Sequence, residues 1–366
     1  MAQLESFSES FSESFSVDTL LHELRCLIDE TRAAVATAVN ASLTMLYWRI
    51  GKCINQNILR DERAAYGEQL IVELSQRLAT EYGRGFSSAN LRRMIQFAAL
   101  FPDEHIVASL MRQLSWTHFT LLLPLKDPLQ REFYAQMCRV EGWSVRVLRE
   151  KIDSMLYERT ALSRKPEDLI RQELATLRTE DRLTPDLVFH DPYLLDFLGL
   201  RDHYREKDLE DAILREIEAF LLEFGAGFAF VARQKRIIVD SDDYYLDLLL
   251  FHRGLRRLVA VELKLGDFKP AYKGQMELYL RWLAKHEQQP GEALPIGLIL
   301  CAGKKEETIE LLELEQSYIR VAEYMLELPP KETLARKLHA AIQSARARLG
   351  QPGPENEKNE DASPQP

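Results

Sequence analysis

The segment YYLDLLLFHRGLRRLVAVELKL, residues 244–265, contains two apolar runs, and charged side chains interrupt each run at isolated positions. Asp247 is the charged residue of the first run, 244–251, and Glu262 and Lys264 are those of the second run, 258–265. Short apolar runs bounded by turn residues are typical of buried strands. Between the runs, Gly254 takes the first central position of a two-residue turn, which predicts a type II′ hairpin.

The predicted hairpin sets a register in which the numbers of paired residues sum to 509, so Asp247 would lie opposite Glu262. Their Cβ atoms would then be about 4.5–5.5 Å apart, and Lys264 would share that face of the sheet. Opposed buried carboxylates are destabilising unless they are compensated, and a divalent cation between them would remove the conflict. Oxygen ligands favour Mg²⁺ or Mn²⁺. The alternative is a buried ion pair in which Lys264 neutralises one acid, and a slip of the register by one residue would separate the carboxylates.

Two flanking helices supply further candidates for this site. In the predicted helix 207–224, Glu210 falls on the apolar stripe, where it could reach the metal site as a third carboxylate. The alternative is an acid favoured at a helix start by the helix dipole. In the predicted helix 270–285, Gln275 also lies on the apolar side, where it would orient a water or a phosphate or act as a hydrogen-bonded core residue.

The fold class predicted from the whole pattern is α+β. An all-α N-terminal domain, with predicted helices at 18–38, 41–59, 66–81, 88–100, 105–113, 116–123, 128–140 and 144–158, precedes an α/β domain with a mixed central sheet. Strands are predicted at 228–239, 244–252, 257–265, 295–301 and 319–326, with further helices at 304–314 and 331–348. We expect a disordered leader at 1–17, the helical domain at 18–160, a connector at 161–185, the α/β domain at 186–349 and a disordered tail at 350–366.

The N-terminal domain contains a pattern that resembles a helix-turn-helix. Helix 66–81, a turn at 82–86 and helix 88–100 follow one another, and the second helix could enter a DNA major groove. Its predicted DNA contacts are Asn90, Arg92, Arg93 and Gln96; the alternative is a merely solvated face. The three tryptophans of the domain are expected to pack in its core: Trp48, Trp116 and Trp143.

Composition limits the classes of function that are plausible. The formal net charge is −10, of which residues 1–17 and 350–366 supply −6, so the remaining −4 permits nucleic-acid binding without indicating it. The sequence has no apolar run of about 18 residues, so no membrane-spanning helix is predicted. It also has no basic stretch followed by an apolar one near its start, so no signal peptide is predicted. The four scattered cysteines favour reduced thiols, so a cytoplasmic location is expected.

The chain resembles the YhcG-like family of the PD-(D/E)XK nuclease superfamily over about residues 20–329. In the N-terminal half the resemblance rests on Tyr47-Trp-Arg-Ile-Gly51, Tyr66-Gly67, Gly85-Phe-Ser87, Asn90-Leu91, Leu114-Ser-Trp116 and Glu141-Gly-Trp-Ser-Val145. In the C-terminal half it rests on Leu209-Glu210, Phe220-Leu-Leu-Glu-Phe-Gly225, Phe228-Ala-Phe-Val-Ala-Arg-Gln234, Asp247-Leu248, Val261-Glu-Leu-Lys264, Phe268-Lys-Pro270, Gln275 and Tyr279-Leu280. Two positions depart from the family pattern: Leu246 replaces a proline, and Tyr66 stands where the family favours tryptophan.

The resemblance implies Mg²⁺-dependent hydrolysis of DNA phosphodiester bonds, with Mn²⁺ as a substitute and a role in defence or in handling foreign DNA. Asp247, Glu262 and the backbone carbonyl of Leu263 would bind the metal, Glu210 would assist, and Lys264 would orient water and stabilise charge on the phosphate. A homodimer would suit paired cuts in two strands. Two other functions compete: a catalytically silent DNA-binding or scaffold protein, and a two-carboxylate hydrolase such as a glycosidase.

Overall fold

The computed structural model describes residues 17–60, 64–200, 204–225, 227–327 and 329–349. The predicted tail and all but the last residue of the predicted leader lie outside the described residues. The chain divides into two compact units, Met1–Leu125 and Lys126–Pro366. This division falls earlier than the end of the predicted helical domain at residue 160, and the predicted domain boundaries stay predictions.

The first unit is helical in its described part. Its helices are α1 Val17–Arg60, α2 Ala64–Tyr82, α3 Ser88–Leu100, α4 Glu104–Leu110 and α5 Trp116–Leu122, with a 3₁₀ turn at Arg84–Phe86. The predicted break near residue 40 is wrong, because α1 runs through it as one helix of 44 residues. The hydroxyls of Ser42 and Thr44, which can end a helix, donate instead to carbonyls four residues earlier in the same helix.

A close helix crossing organises the core of the first unit. A Cβ atom at Gly51 of α1 would lie 1.9 Å from the Met94 carbonyl oxygen of α3, so glycine is required at this crossing. Trp48 is buried and its indole donates to the Phe101 carbonyl at 2.7 Å. Trp116 packs against neighbouring aromatic rings, so both tryptophans serve the core as predicted.

The second unit begins with more helices. They are α6 Pro128–Glu141, α7 Val145–Asp153, α8 Leu156–Arg159, α9 Glu167–Glu180, α10 Pro185–Val188, α11 Glu206–Arg215 and α12 Ile217–Phe224. Trp143, between α6 and α7, is buried as predicted. Two predicted helices are interrupted: helix 144–158 at Met155, whose φ is 54°, and helix 207–224 at Glu216, whose φ and ψ are −110° and 33°. A 3.6-residue apolar periodicity continues across such a break, so the sequence does not report it.

The remaining elements build a mixed sheet, which in the described part of the chain has the strand order β1-β6-β5-β4-β3-β2. The strands are β1 Tyr193–Leu194, β2 Phe228–Val239, β3 Asp242–His252, β4 Arg257–Asp267, β5 Ile296–Gly303 and β6 Ile319–Met325. Strands β2, β3 and β4 are antiparallel neighbours, whereas β4, β5, β6 and β1 pair in parallel. The later helices are α13 Ala271–His286, α14 Glu306–Leu311 and α15 Lys331–Leu349.

Helices cover both faces of this sheet. On one face, α11 and α12 bury Leu209, Ile213 and Phe220 against β3, β4 and β5. On the other face, α13 buries Met276 and Tyr279 against the same strands. A helical unit followed by a mixed sheet covered by helices confirms the predicted α+β fold class.

Candidate active site

The hairpin of β3 and β4 has the predicted register. Its five pairs run from Leu248↔Val261 to His252↔Arg257, and the numbers of each pair sum to 509. The predicted type II′ turn is wrong, because Gly254 does not have a positive φ and Arg256 does, at 50°. A Cβ atom at Gly254 would lie 2.6 Å from the end of the Leu183 side chain, so a larger residue there would require that side chain to move.

Asp247 lies one step beyond the last pair of that ladder. Its carboxylate accepts a hydrogen bond from the Leu263 backbone N–H at 2.8 Å, so a side chain satisfies a donor of β4 where β3 leaves the ladder. The predicted picture of two carboxylates facing each other across an intact ladder is therefore incomplete. The Asp247 carboxylate is bound to the backbone of β4 at Leu263, and Glu262 is the residue directly before Leu263.

Glu262 and Lys264 share one face of β4, as the strand alternation predicts. The Lys264 ammonium lies 3.0 Å from the Glu262 carboxylate and 5.5 Å from the centre of the Tyr272 ring on α13. Glu262 is only 3% exposed, and its Oε1 atom has no hydrogen-bond partner among the described residues. Lys264 therefore pairs with one acid and leaves a buried carboxylate oxygen unsatisfied.

Glu210 on α11 completes an acidic cluster with Asp247 through the side chain of Gln234 on β2. The Gln234 amide nitrogen lies 3.0 Å from Glu210 Oε2 and 3.1 Å from Asp247 Oδ1, so it donates to both carboxylates. The other oxygen, Glu210 Oε1, is buried without a hydrogen bond and has Arg233 Nε at 3.7 Å. The structure thus brings Glu210 to the predicted carboxylates.

Sequence reasoning missed Gln234 as a site residue. It has a left-handed φ of 42° inside a strand, and it lies across from Asp247, between the pairs Arg233↔Leu248 and Lys235↔Leu246. In the facing strand β3 the alternation of side chains also shifts. Leu246 and Leu249, three residues apart, both pack on the face of the sheet that α13 covers. The one signal for Gln234 in the sequence was its place in the family motif 228–234, because nothing local predicts a positive φ for glutamine.

The Gln275 amide contacts Tyr279, whose pKa responds to the charges of the carboxylates. Its amide donates to the Tyr279 hydroxyl at 2.6 Å, and that hydroxyl donates to the Tyr245 carbonyl at 3.2 Å. After burial, the Gln275 hydrogen bond and the charges of Glu262 and Asp247 have the largest effects on the Tyr279 pKa, which is raised. The hydrogen bond of the Gln275 amide thus goes to Tyr279 and not to a carboxylate of the cluster.

Burial is the largest cause of a raised pKa in all three carboxyl groups of the cluster. Burial, followed by the charge of Asp247, raises the pKa of Glu262 to about 7. Burial and then Asp247 likewise raise the pKa of Glu210, and burial raises that of Asp247 even though Leu263 N–H and Lys264 oppose the rise. Burial is the largest effect on the pKa of Lys264 and lowers it, but the charge and hydrogen bond of Glu262, together with the charges of Asp247 and Glu206, outweigh burial, and the net shift is upward. One protonated lysine therefore sits among three carboxylates, of which Glu262 pairs with it and Glu210 has Arg233 at 3.7 Å.

These residues fit a hard divalent cation. The unpartnered oxygens of Glu262 and Glu210 and the acceptor oxygens of Asp247 are the donors that Mg²⁺ prefers, and a cation would relieve their mutual repulsion. Among the described residues, however, no three His, Cys, Asp or Glu side chains are close enough together to hold a metal by themselves. A site would need another ligand beside the side chains, and the Leu263 carbonyl and water are candidates of the right chemistry.

The predicted DNA contacts of α3 are not equally free. Arg92 pairs with Glu68 of α2 at 2.5 Å, the Gln96 amide donates to the Leu123 carbonyl at 3.1 Å, and Asn90 bonds Gly85 and Trp116 within the fold. Arg93 is exposed. The structure therefore favours Arg93 as the contact most available to a partner, and the helix-turn-helix interpretation stays a prediction.

No helix in the described part of the chain is both long enough and apolar enough to cross a bilayer.

Solved structures with a similar region match only weakly. A repair endonuclease from Pyrococcus abyssi is 22% identical and matches with a TM-score of 0.24, over 36% of this chain and 50% of that chain. An EndoMS–dsDNA complex is 15% identical and has a TM-score of 0.26, over 36% of this chain and 51% of that chain. This chain thus spans about half the length of either protein.

Family comparisons match most of the chain. The model of the DUF1016 N-terminal domain matches residues 23–159, and the model of the YhcG PDDEXK nuclease domain matches residues 186–339. The protein called "Putative nuclease YhcG" from Escherichia coli (strain K12) is 36% identical over 353 residues, which covers 88% of this chain and 92% of that protein. The chain therefore belongs to the YhcG family and carries its PDDEXK nuclease domain.

Proposed function

We propose that this protein is a Mg²⁺-dependent endonuclease that hydrolyses DNA phosphodiester bonds. The observation that carries the proposal is the buried Glu262 carboxylate, which keeps an unpartnered oxygen beside Asp247 although Lys264 is 3.0 Å away. A catalytically silent scaffold would gain nothing from this arrangement, because an unsatisfied buried carboxylate costs stability. The arrangement is useful if a cation and a phosphate enter the site.

In this proposal Asp247, Glu262 and the Leu263 carbonyl hold Mg²⁺, and Glu210 assists from α11. When bound, Mg²⁺ would act as a Lewis acid on a phosphoryl oxygen and lower the pKa of water, with Mn²⁺ as a substitute. Hydrogen bonds to Asp247 from Leu263 N–H and from Gln234 orient its carboxylate before any metal arrives.

Lys264 acts as a fixed positive charge. Its upward pKa shift keeps the ammonium protonated, so it stabilises negative charge on the phosphate and orients the attacking water without accepting a proton. Its partners Glu262 and Tyr272 limit the positions that the ammonium can take. Gln275 supports the same side of the site through Tyr279.

Incubation of the purified full-length protein with plasmid, linear duplex, single-stranded DNA and RNA, in Mg²⁺ or in EDTA, tests the proposed activity. We expect cleavage of plasmid in Mg²⁺, loss of cleavage in EDTA, and recovery in Mn²⁺. Glu262→Gln should abolish cleavage, whereas Glu218→Gln, an exposed change on α12, should not. Cleavage that persists in EDTA would contradict the metal, and cleavage of RNA alone would contradict the substrate.

The N-terminal unit is proposed to contribute DNA binding, with Arg93 as its main contact. DNA affinity should fall as salt rises, and Arg93→Ala should reduce the slope of log affinity against log salt by about 1. Arg92→Ala should have a smaller effect because Arg92 already pairs with Glu68. If Arg112→Ala, an exposed change outside α3, lowers the slope equally, the α3 assignment is wrong.

The proposal also includes a role in defence or in handling foreign DNA, which the family resemblance suggests. It places the protein in the cytoplasm, which the scattered cysteines of the sequence suggest. Comparing phage plating on cells that carry the wild type and on cells that carry Glu262→Gln tests the defence role. Equal plating on the two strains, across a panel of phages and transformed plasmids, would contradict a defence role.

A further inference from the structure

The first two-thirds of α1 carries an apolar stripe that is exposed along its whole length. Leu21, Leu24, Ile28, Val35, Val39, Leu43 and Leu46 are between 41% and 58% exposed. At 3.6 residues per turn, these seven side chains fall within an arc of about 100° around the helix axis. Leu27, 59% exposed, lies at its border. We call these seven side chains the α1 stripe.

Most of the stripe precedes the part of α1 that joins the first unit, because Ile50 and Ile54, on or next to the same side of the helix, pack in the core of that unit. Thr44, Trp48 and Gly51, which are buried in that unit, point to the other side of the helix. In addition, every residue from 24 to 40 whose burial is described is exposed. The stripe residues in this length of α1 are therefore not covered by the core of the first unit.

Such a surface is unusual for an isolated chain. In proteins, most helical stability comes from packing an apolar face against other elements. Seven half-exposed aliphatic side chains on two copies would together bury on the order of 1,000 Å², near the lower limit for a specific protein–protein interface. The stripe is thus large enough to support a dimer.

We propose that the α1 stripe is a dimerisation surface that packs against the same stripe of a second copy of this chain. Leu21, Ile28 and Val35 follow one another at intervals of seven, and Leu24 lies between the first two at the spacing of a coiled-coil seam. A second copy offers a straight helix of equal length and the same pattern. Elsewhere in the described part of the chain, no helix exposes a comparable stripe, because the other exposed large hydrophobic side chains are spread over separate elements.

The flanks of the stripe agree with a helix–helix interface. With Leu21, Ile28 and Val35 as a positions, the exposed Arg25 and Arg32 take e positions next to the seam, although both fall within the 100° arc, whereas Asp29 is exposed outside the arc and Glu30 on the opposite side of α1. A polar rim around an apolar seam is the usual arrangement in coiled coils and at interfaces. This inference does not depend on the proposed nuclease activity, so it can fail or hold separately.

The mass of the full-length protein in solution, measured by light scattering and by sedimentation over a range of concentrations, tests the interface. We expect a dimer for the wild type and a monomer for the double variant Ile28→Lys with Val35→Lys, whose dissociation constant should rise at least about 100-fold. Glu30→Lys is the matched control, since it changes the formal charge by the same amount on the opposite side of the helix. Lysine favours helices, so both variants should keep their helical content, which circular dichroism checks.

Cross-linking adds a second measurement that does not require dissociation. Val35→Cys should form a disulfide-linked dimer on oxidation, well above the wild-type background, and Asn40→Cys, exposed on another side of α1, should not. A wild type that is monomeric at every concentration overturns the inference, whether the stripe is covered within the chain or by another protein. A dimer that survives the double variant also overturns it, because the interface then lies elsewhere.

Discussion

At the scale of single residues, Glu262 combines near-complete burial, an unpartnered oxygen and a pKa raised to about 7. Between the ordinary carboxyl pKa and this value, the folded protein keeps a proton that the unfolded chain releases. Stability therefore falls as pH rises through this window, and the loss is complete above about pH 7. Protonated Glu262 is tolerated by the fold, and ionised Glu262 needs a cation.

The first prediction follows from that sign. In EDTA, the free energy of unfolding of the wild type should decrease by up to about 3 kcal/mol between pH 4.5 and pH 7 through Glu262, and Glu262→Gln should remove this part of the decrease. At pH 8, Mg²⁺ should stabilise the wild type and not the variant. Urea unfolding across this pH range, with Glu218→Gln as the control, measures the effect; a Glu262→Gln profile parallel to the wild type would contradict the burial argument.

Lys264 separates catalysis from charge balance. If it acts on the phosphate and the water, Lys264→Met should bind Mg²⁺ and lose cleavage by about 100-fold or more in single-turnover measurements at saturating metal. If it only neutralises Glu262, the variant should bind Mg²⁺ more tightly and cleave nearly as fast as the wild type. Calorimetric titration of metal followed by single-turnover kinetics distinguishes these outcomes.

Gln234 stores backbone strain at the site, since its φ of 42° is unfavourable for any residue with a Cβ atom. Gln234→Ala removes the amide but keeps the strain, whereas Gln234→Gly removes both. We expect both variants to lose cleavage, and the glycine variant to be more stable than the alanine variant by about 1 kcal/mol. Urea unfolding in EDTA measures the difference, and equal stability would show that no strain is stored there.

At the scale of elements, the close crossing of α1 and α3 explains why glycine occupies position 51. Gly51→Ala would place a methyl carbon 1.9 Å from a backbone oxygen of α3, which cannot move as a flexible side chain would. We expect a loss of about 3 kcal/mol or more in the stability of the first unit, because the helices must separate.

Gly274→Ala is the matched control for this change. Gly274 lies in α13 with no atom within 4 Å of an added Cβ, so alanine should stabilise that helix by about 0.5–1 kcal/mol. Thermal unfolding of the two variants should therefore shift in opposite directions. A Gly51→Ala variant that unfolds like the wild type would mean that α1 and α3 do not cross so closely.

At the scale of the whole molecule, the second unit begins at Lys126 and not at the start of the nuclease-domain match at 186. Two basic residues before position 186 pair with acidic residues at or after it: Arg164 pairs with Asp191, and Lys165 pairs with Asp186. Helix α15 also packs on the turn at 162–164 and on α8. The segment from α8 to Lys165 therefore helps to hold the elements that follow residue 186.

This leads to a prediction for fragments. Residues 126–366 should fold with a cooperative transition, whereas residues 186–366 should be less stable by several kcal/mol or fail to fold. The reason is that two largely buried carboxylates each lose one of their two cations: Asp191 keeps only Lys304, and Asp186 keeps only Arg320. Urea unfolding of both fragments measures this. Equal stability would mean that residues 126–185 do not support the fold of the nuclease domain, which would agree with the connector that the sequence predicts at 161–185.

The sequence by itself determined the local arrangement around the candidate site. The apolar runs and the short connection between them were enough to predict the β3–β4 register, and the alternation of a strand was enough to put Glu262 and Lys264 on one face. Helix α3 and strand β2 begin and end where the periodicity predicts. These features depend on neighbours within one hairpin or one helix, which sequence patterns describe directly.

Only the tertiary structure decided the rest. It places Gln234 between Glu210 and Asp247, ends the ladder at Asp247, and turns the Asp247 carboxylate to the Leu263 N–H. It also assigns residues 126–160 to the second unit and leaves the α1 stripe exposed. A positive φ, a broken ladder and an uncovered face arise from packing between segments far apart in the chain, so no local periodicity carries a record of them.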